Sequence, residues 1–97
     1  MKEYHIGSMA QYNEFPSEIQ VGNDSYYLLK EGTTLRLASR QCPHAGYEVS
    51  YEFGELECPL HGWTFDLENG ECINVASKGL TCFPVEDRLG ELYVTID

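Results

Sequence analysis

Apolar and polar residues alternate in short runs along this chain, and turn-forming residues break the runs apart. A period of two sends neighbouring side chains to opposite faces, so each run reads as a strand with one face turned inward. The pattern predicts strands over Glu3–Ile6, Glu18–Val21, Tyr26–Leu29 and Leu35–Ala38, and it sets Leu92, Val94 and Ile96 on one face near the end. Gly22-Asn23-Asp24, Glu31-Gly32, Glu68-Asn69-Gly70 and Leu89-Gly90 read as the turns that punctuate them. The single helical signal is Ser8-Met9-Ala10-Gln11, a capping-box pattern leading a short turn that must end before Pro16. With no internal repeat, low-complexity tract or linker, the expectation is one all-β domain over residues 1–97 with hardly any helix.

Composition narrows the setting. Apolar residues make up 42% of the chain, with seven Tyr, four Phe and one Trp, which is enough to build a core and argues against disorder. At 97 residues that core is small, and an additional staple is expected. Sixteen acidic against six basic residues give a net charge of −10, which would repel a phosphate backbone or an anionic membrane. The first residues, Met1 to Gly7, carry no apolar signal-peptide core, and no later run approaches membrane-spanning length. The expected setting is the cytoplasm, with neither nucleic acid nor membrane as a partner.

The candidate staple is a set of four residues. Cys42 and His44 form a C-x-H pair, Cys58 and His61 form a C-x-x-H pair, and thirteen residues lie between the pairs. A proline follows each of these cysteines. Two such pairs suggest two hairpin tips closing on one metal centre with two thiolates and two imidazoles. Structural zinc is a common use of such a set, and the chain would then be a zinc-stabilised interaction module. If each iron of a binuclear centre took one like pair, the set would instead hold a [2Fe–2S] cluster. Cys42-Pro43-His44 lacks the second cysteine and the βαβ surroundings of a thiol oxidoreductase. Cys72 and Cys82 lie in strand-like stretches and read as small buried hydrophobes, with a disulfide between them the less favoured alternative. His5 reads as an ordinary strand histidine, and Glu48, Glu52, Glu55 and Glu57 as a solvated face or a docking surface.

Arg40-Gln41-Cys42-Pro43-His44-Ala45-Gly46 and Cys58-Pro59-Leu60-His61-Gly62-Trp63-Thr64-Phe65-Asp66 resemble the two cluster-binding loops of Rieske iron–sulfur proteins, in particular small Rieske ferredoxins and oxygenase-type Rieske domains. The likeness extends to Gly32–Ser39 before the first loop, to Leu67–Ile73 after the second, and to Leu80–Val85 as a closing strand. It implies an antiparallel β-sandwich with a small cluster-binding subdomain at about residues 40–66. It also implies one Rieske-type [2Fe–2S] cluster, with Cys42 and Cys58 on the inner iron and His44 and His61 on the outer iron. Gly46 and Gly62 would let the backbone wrap closely around the cluster.

Two departures from the family pattern stand out. The thirteen-residue gap is short for the family, so the hairpin through Tyr51–Gly54 should be tight. Where the high-potential branch carries its disulfide cysteines and its hydroxyl donors, this chain has Tyr47 and Leu60, and Trp63 and Phe65. That points to the low-potential branch. Once two histidines are committed to the cluster only His5 remains, too few for the mononuclear iron of an oxygenase, and no dinucleotide-binding glycine pattern is present. The expected role is therefore not an enzyme's. It is a monomeric one-electron carrier between a flavin-dependent reductase and a terminal acceptor such as an oxygenase, with a small nitrite-reductase-like Rieske subunit as the alternative.

Overall fold

Tyr26, Tyr27, Leu28 and Leu29 are four consecutive buried residues, and this run organises the molecule. Successive side chains of a strand face opposite ways, so a strand buried at every position must be covered on both faces. The computed structural model describes residues 2–41, 48–52, 54–59, 62–73 and 79–96 and shows both covers. Its strands are β1 (Lys2–Ser8), β2 (Ser17–Val21), β3 (Asp24–Glu31), β4 (Thr34–Ser39), β5 (Ser50–Glu52), β6 (Glu55–Cys58), β7 (Trp63–Phe65), β8 (Cys82–Arg88) and β9 (Glu91–Ile96). Six of them form an antiparallel sheet in the order β1-β9-β8-β4-β3-β2, and β5-β6-β7 form a second, three-stranded one.

The large sheet curls over the first core. Tyr26 and Leu28 pack there with Leu37 of β4, Ile6 of β1, Ile19 of β2, and Leu92 and Val94 of β9, so its two edge strands are drawn toward each other. The curl has its step in β8. Cys82–Pro84 pair with β4, whereas Val85–Arg88 pair with β9. Pro84 has no N–H to give the ladder, and the change of partner falls just after it. Tyr27 and Leu29, on the other face of β3, meet Ala38, Val49, Leu56, Cys58, Phe65 and Leu80 in a second core beneath the small sheet.

The predicted turns fall where expected. Residues 22–23, 32–33 and 89–90 each make a two-residue link between paired strands. The capping-box signal yields a single 3₁₀ turn, Met9–Gln11. Ser8 Oγ accepts from the Ala10 N–H at 3.3 Å, and Gln11 Oε1 accepts from the Ser8 N–H at 2.7 Å. Met9 N–H donates to the Gly90 carbonyl at 2.8 Å and so ties this turn to the β8–β9 link. Among the described residues no helix is long and apolar enough to cross a membrane.

One glycine closes the joint between the two sheets by its size alone. A Cβ on Gly79 would stand 2.8 Å from the Gly70 carbonyl oxygen and 2.9 Å from the Glu71 Cα, both main-chain atoms that cannot swing aside. Leu80 N–H donates to that same carbonyl at 2.9 Å, which fixes the approach. Gly79→Ala should therefore destabilise the domain by about 1–3 kcal/mol through overpacking. Chemical denaturation checks this, and an unchanged midpoint would refute it.

Candidate metal centre

The two predicted ligand loops both have their bases at the second core. The first leaves the end of β4 through Arg40 and Gln41 and returns at Glu48 and Val49. Gln41 and Glu48 face each other across an isolated bridge, and the Val49 N–H donates to the Arg40 carbonyl at 2.6 Å. Val49 itself is fully buried in the second core. The second loop leaves at Cys58, the last residue of β6, and returns at Trp63, the first of β7, which is its cross-strand partner. Gly62 N–H donates to the Cys58 carbonyl at 2.9 Å. Gly62 holds this turn at φ +67°, a left-handed conformation that favours glycine. Both loop bases are thus anchored in one apolar core, by Val49 and by Cys58.

Of the four predicted ligands the structure describes Cys58, fully buried beside Leu56, Phe65 and Tyr27. Cys42, His44 and His61 lie outside the described residues, as do Gly46, Tyr47 and Leu60. The short gap between the pairs is taken up as expected. Glu52 of β5 lies opposite Glu55 of β6, leaving two residues for the turn.

The second loop is buttressed by the turn that follows it. Asp66 Oδ1 accepts from the Glu68 N–H at 2.7 Å and from the Asn69 N–H at 3.1 Å, and Asp66 N–H donates to the Glu71 carbonyl at 2.8 Å. Phe65 bridges to Cys72, and the Ile73 N–H donates to the Thr64 carbonyl at 3.0 Å, so this segment runs beside β7. Arg36 of β4 reaches the turn from the large sheet and donates to the Glu68 carbonyl at 3.1 Å.

Cys72 and Cys82 flank this buttress, and both pack against the second core. Cys82 is a thiol and not half of a disulfide, with Sγ 3.7 Å from the Asn69 carbonyl oxygen it donates to. Burial pushes its pKa up, and the nearby Arg36 only partly opposes that, so the thiol stays protonated and unreactive at neutral pH. Both cysteines pack on the core but are only partly buried, and no disulfide joins them.

His5 lies on the outside of the large sheet, its Nε2 2.8 Å from Glu91 Oε1 and its ring 5.1 Å from that of Tyr93. Glu48, Glu52 and Glu55 are exposed. Sequence reasoning did not foresee how Tyr27 and Arg40 work together. The Tyr27 hydroxyl accepts from the Tyr51 N–H at 3.2 Å, and the Arg40 guanidinium lies over the Tyr27 ring, 5.1 Å from its centroid. Arg40 was visible as the residue that opens the first motif, but its partners, Glu18 and Tyr27, are far from it in sequence.

Comparison with known proteins bears directly on this arrangement. The model of the Rieske [2Fe-2S] domain matches residues 2–84. The oxygenase subunit of carnitine monooxygenase from Acinetobacter baumannii is 26% identical over 107 aligned positions, which take in 96% of this chain but 29% of that protein. The chain therefore spans less than a third of the curated relative. Among solved structures, the ferredoxin of carbazole 1,9a-dioxygenase from Nocardioides aromaticivorans IC177 superposes with a TM-score of 0.70 at 21% identity, covering all of both chains. The terminal oxygenase of carbazole 1,9a-dioxygenase from Novosphingobium sp. KA1 gives the same TM-score and identity over 97% of this chain and 29% of its own. The fold is common to a small carrier and to one part of a large subunit.

Proposed function

The chain belongs to the Rieske [2Fe–2S] domain family, and from that premise we propose that it is a one-electron carrier passing electrons from a flavin-dependent reductase to a terminal oxygenase. A domain of this family holds one Rieske-type [2Fe–2S] cluster, which supplies a site for taking up and releasing a single electron. That membership displaces the zinc-module reading. The residues present fit the group. Cys58 offers a sulfur from a fully buried position, and Gly62 turns the backbone tightly back over it. In the proposed assignment Cys42 and Cys58 are the thiolate ligands of one iron, and His44 and His61 are the imidazole ligands of the other. The segment at about 40–66 is then the cluster-binding subdomain of a single domain over 1–97.

What this chain's own residues contribute is enclosure and aim. Leu56, Phe65 and Val49 keep water from the Cys58 side and lower the local dielectric, which helps set the potential. The observation that carries the carrier reading is the full-length match in both directions to a ferredoxin. The proposed carrier is monomeric and cytoplasmic. A second reading, the electron-relay domain of an oxygenase subunit, is favoured by the 29% coverage of the carnitine monooxygenase relative.

Iron and sulfide analysis of the native gene product separates the two. A carrier should hold two irons and two acid-labile sulfides, take up one electron in reductive titration, and give the reduced-state paramagnetic signal of mixed His/Cys ligation. A third iron in the native product would favour the oxygenase reading. Zinc in place of iron would reject both.

Docking gives a further expectation. Glu52 and Glu55 are exposed and directly opposite each other in the β5–β6 hairpin, a like-charge pairing that costs stability. On a chain of net charge −10 they add to a negative field at the turn end of that hairpin, the other end of β6 from Cys58, suited to steering a partner with a basic face. Glu52→Lys should make the fold more stable by about 0.2–1 kcal/mol and yet slow electron delivery. Stopped-flow transfer at rising salt tests this, because screening shortens the field to about 8 Å at physiological ionic strength. Rates indifferent to salt and to the substitution would reject electrostatic steering.

A further inference from the structure

Arg40 stands where the chain leaves the large sheet for the first ligand loop, and both its main chain and its side chain close that loop's base. Its carbonyl accepts from the Val49 N–H at 2.6 Å, and its Nε donates back to the Val49 carbonyl at 3.2 Å. Residues 40 and 49 are thus held by two bonds, with Cys42 and His44 in the stretch between. The guanidinium pairs with Glu18 of β2, lies 3.6 Å from Glu48 Oε2, and covers the ring of Tyr27. Tyr27 in turn accepts from the Tyr51 N–H at the start of the small sheet.

A surface arginine needs only water and a carboxylate. This one is 17% exposed and spends a donor on a main-chain carbonyl, so it is built into the joint between the sheets. Only a planar guanidinium can make that bond, stack on Tyr27 and face two carboxylates together.

We infer that Arg40 is a positioning residue for the cluster-binding loops: its planar fork fixes the base of the first loop, and its charge, two residues before Cys42, favours the reduced state. The inference rests on the cluster assignment proposed above. Reduction adds negative charge to a domain already at −10 with six cationic residues, so removing this cation should make reduction harder. The two contributions are separable. Lysine keeps the charge but cannot make the stacked fork, and glutamine keeps neither.

The test compares Arg40→Lys, Arg40→Gln, Glu18→Gln and, as a control, Glu86→Gln. Glu86 pairs with Arg88 at 2.8 Å and lies four residues along β8 from Cys82, the partner of Ala38, about 14 Å away along the strand. Each variant is read for its reduced-to-oxidised ratio at the wild-type midpoint and for its rate of iron release to a chelator. Arg40→Gln should lower the ratio several-fold and speed release. Arg40→Lys should hold the ratio close to wild type and still speed release. Glu18→Gln, which removes a carboxylate and leaves the cation, should raise the ratio, and Glu86→Gln should change neither reading. An unchanged ratio and release rate in Arg40→Gln overturns the inference, as does a fall in the ratio for Glu18→Gln. Amide exchange at Val49 and Tyr51 in the protein as purified reads the clasp independently. If wild type binds no cluster, the functional reading fails, while faster exchange in Arg40→Gln still supports the clasp and unchanged exchange rejects it.

Discussion

Cys58→Ala should yield colourless protein with no bound iron, whereas Cys82→Ala should keep its iron and colour. Both cysteines pack on the second core, Cys58 fully buried and Cys82 partly so, and Cys82→Ala shows what losing a thiol there does when no ligand is lost. Were Cys58 merely a buried hydrophobe, truncation would cost about 1 kcal/mol, the scale of losing a small group from a core, and bound metal would be untouched. As a ligand its loss is categorical. Metal affinity in a small domain is also folding free energy, so the variant should melt earlier by more than a core truncation explains. His44→Ala and Cys42→Ala should behave as Cys58→Ala does. Iron analysis and visible absorption decide the matter, and iron retained at wild-type level in Cys58→Ala would remove it from the ligand set.

That contrast rests on residues legible in the sequence alone. The spacing of two Cys/His pairs singled out the ligand candidates, because coordination demands particular donors at short separations. Alternation found β1 to β4 and β9, because those strands bury one face or lie between strong turn residues. It did not resolve β5, β6 and β7. At three or four residues each, they are too short to show a period, and their pairing is set by the loops between them. The closing strand was expected over Leu80–Val85, yet β8 runs Cys82–Arg88, since its second half is recruited by β9 and not by β4.

The double burial of β3 and the Arg40 clasp were also out of reach. Both depend on residues distant in sequence meeting across two sheets, which local pattern does not encode. The same holds for the buttress behind the second loop. Glu68, Asn69 and Gly70 read simply as a turn and Asp66 as the end of the second motif, while together they hold β7 and carry the Gly79 contact.

Phe65→Tyr should raise the midpoint potential from the low end of the Rieske range, roughly −150 mV, by several tens of millivolts. In the high-potential branch that this chain resembles less closely, hydroxyl donors stand at the positions of Trp63 and Phe65. An indole and a phenyl ring supply no hydroxyl here. A hydrogen bond to a charged acceptor contributes about 1.5–3 kcal/mol, and only the part that favours the reduced state moves the potential. A differential of about 1.4 kcal/mol corresponds to about 59 mV for a one-electron couple. The surroundings choose between the two substitutions. Trp63 is half-buried directly across from Cys58, and Trp63→Ser would empty a large volume next to a ligand, confounding potential with packing. Phe65 is 1% exposed between Leu56 and Cys72, so Phe65→Tyr adds one oxygen and removes nothing. If that oxygen reaches the cluster's sulfur, the potential rises with little loss of stability. If it finds no acceptor, the buried hydroxyl costs about 1–3 kcal/mol and the potential stays where it was. Protein-film voltammetry with a parallel denaturation curve distinguishes these results. A wild-type midpoint well above zero would mean that donors other than these hydroxyls already stabilise the reduced state.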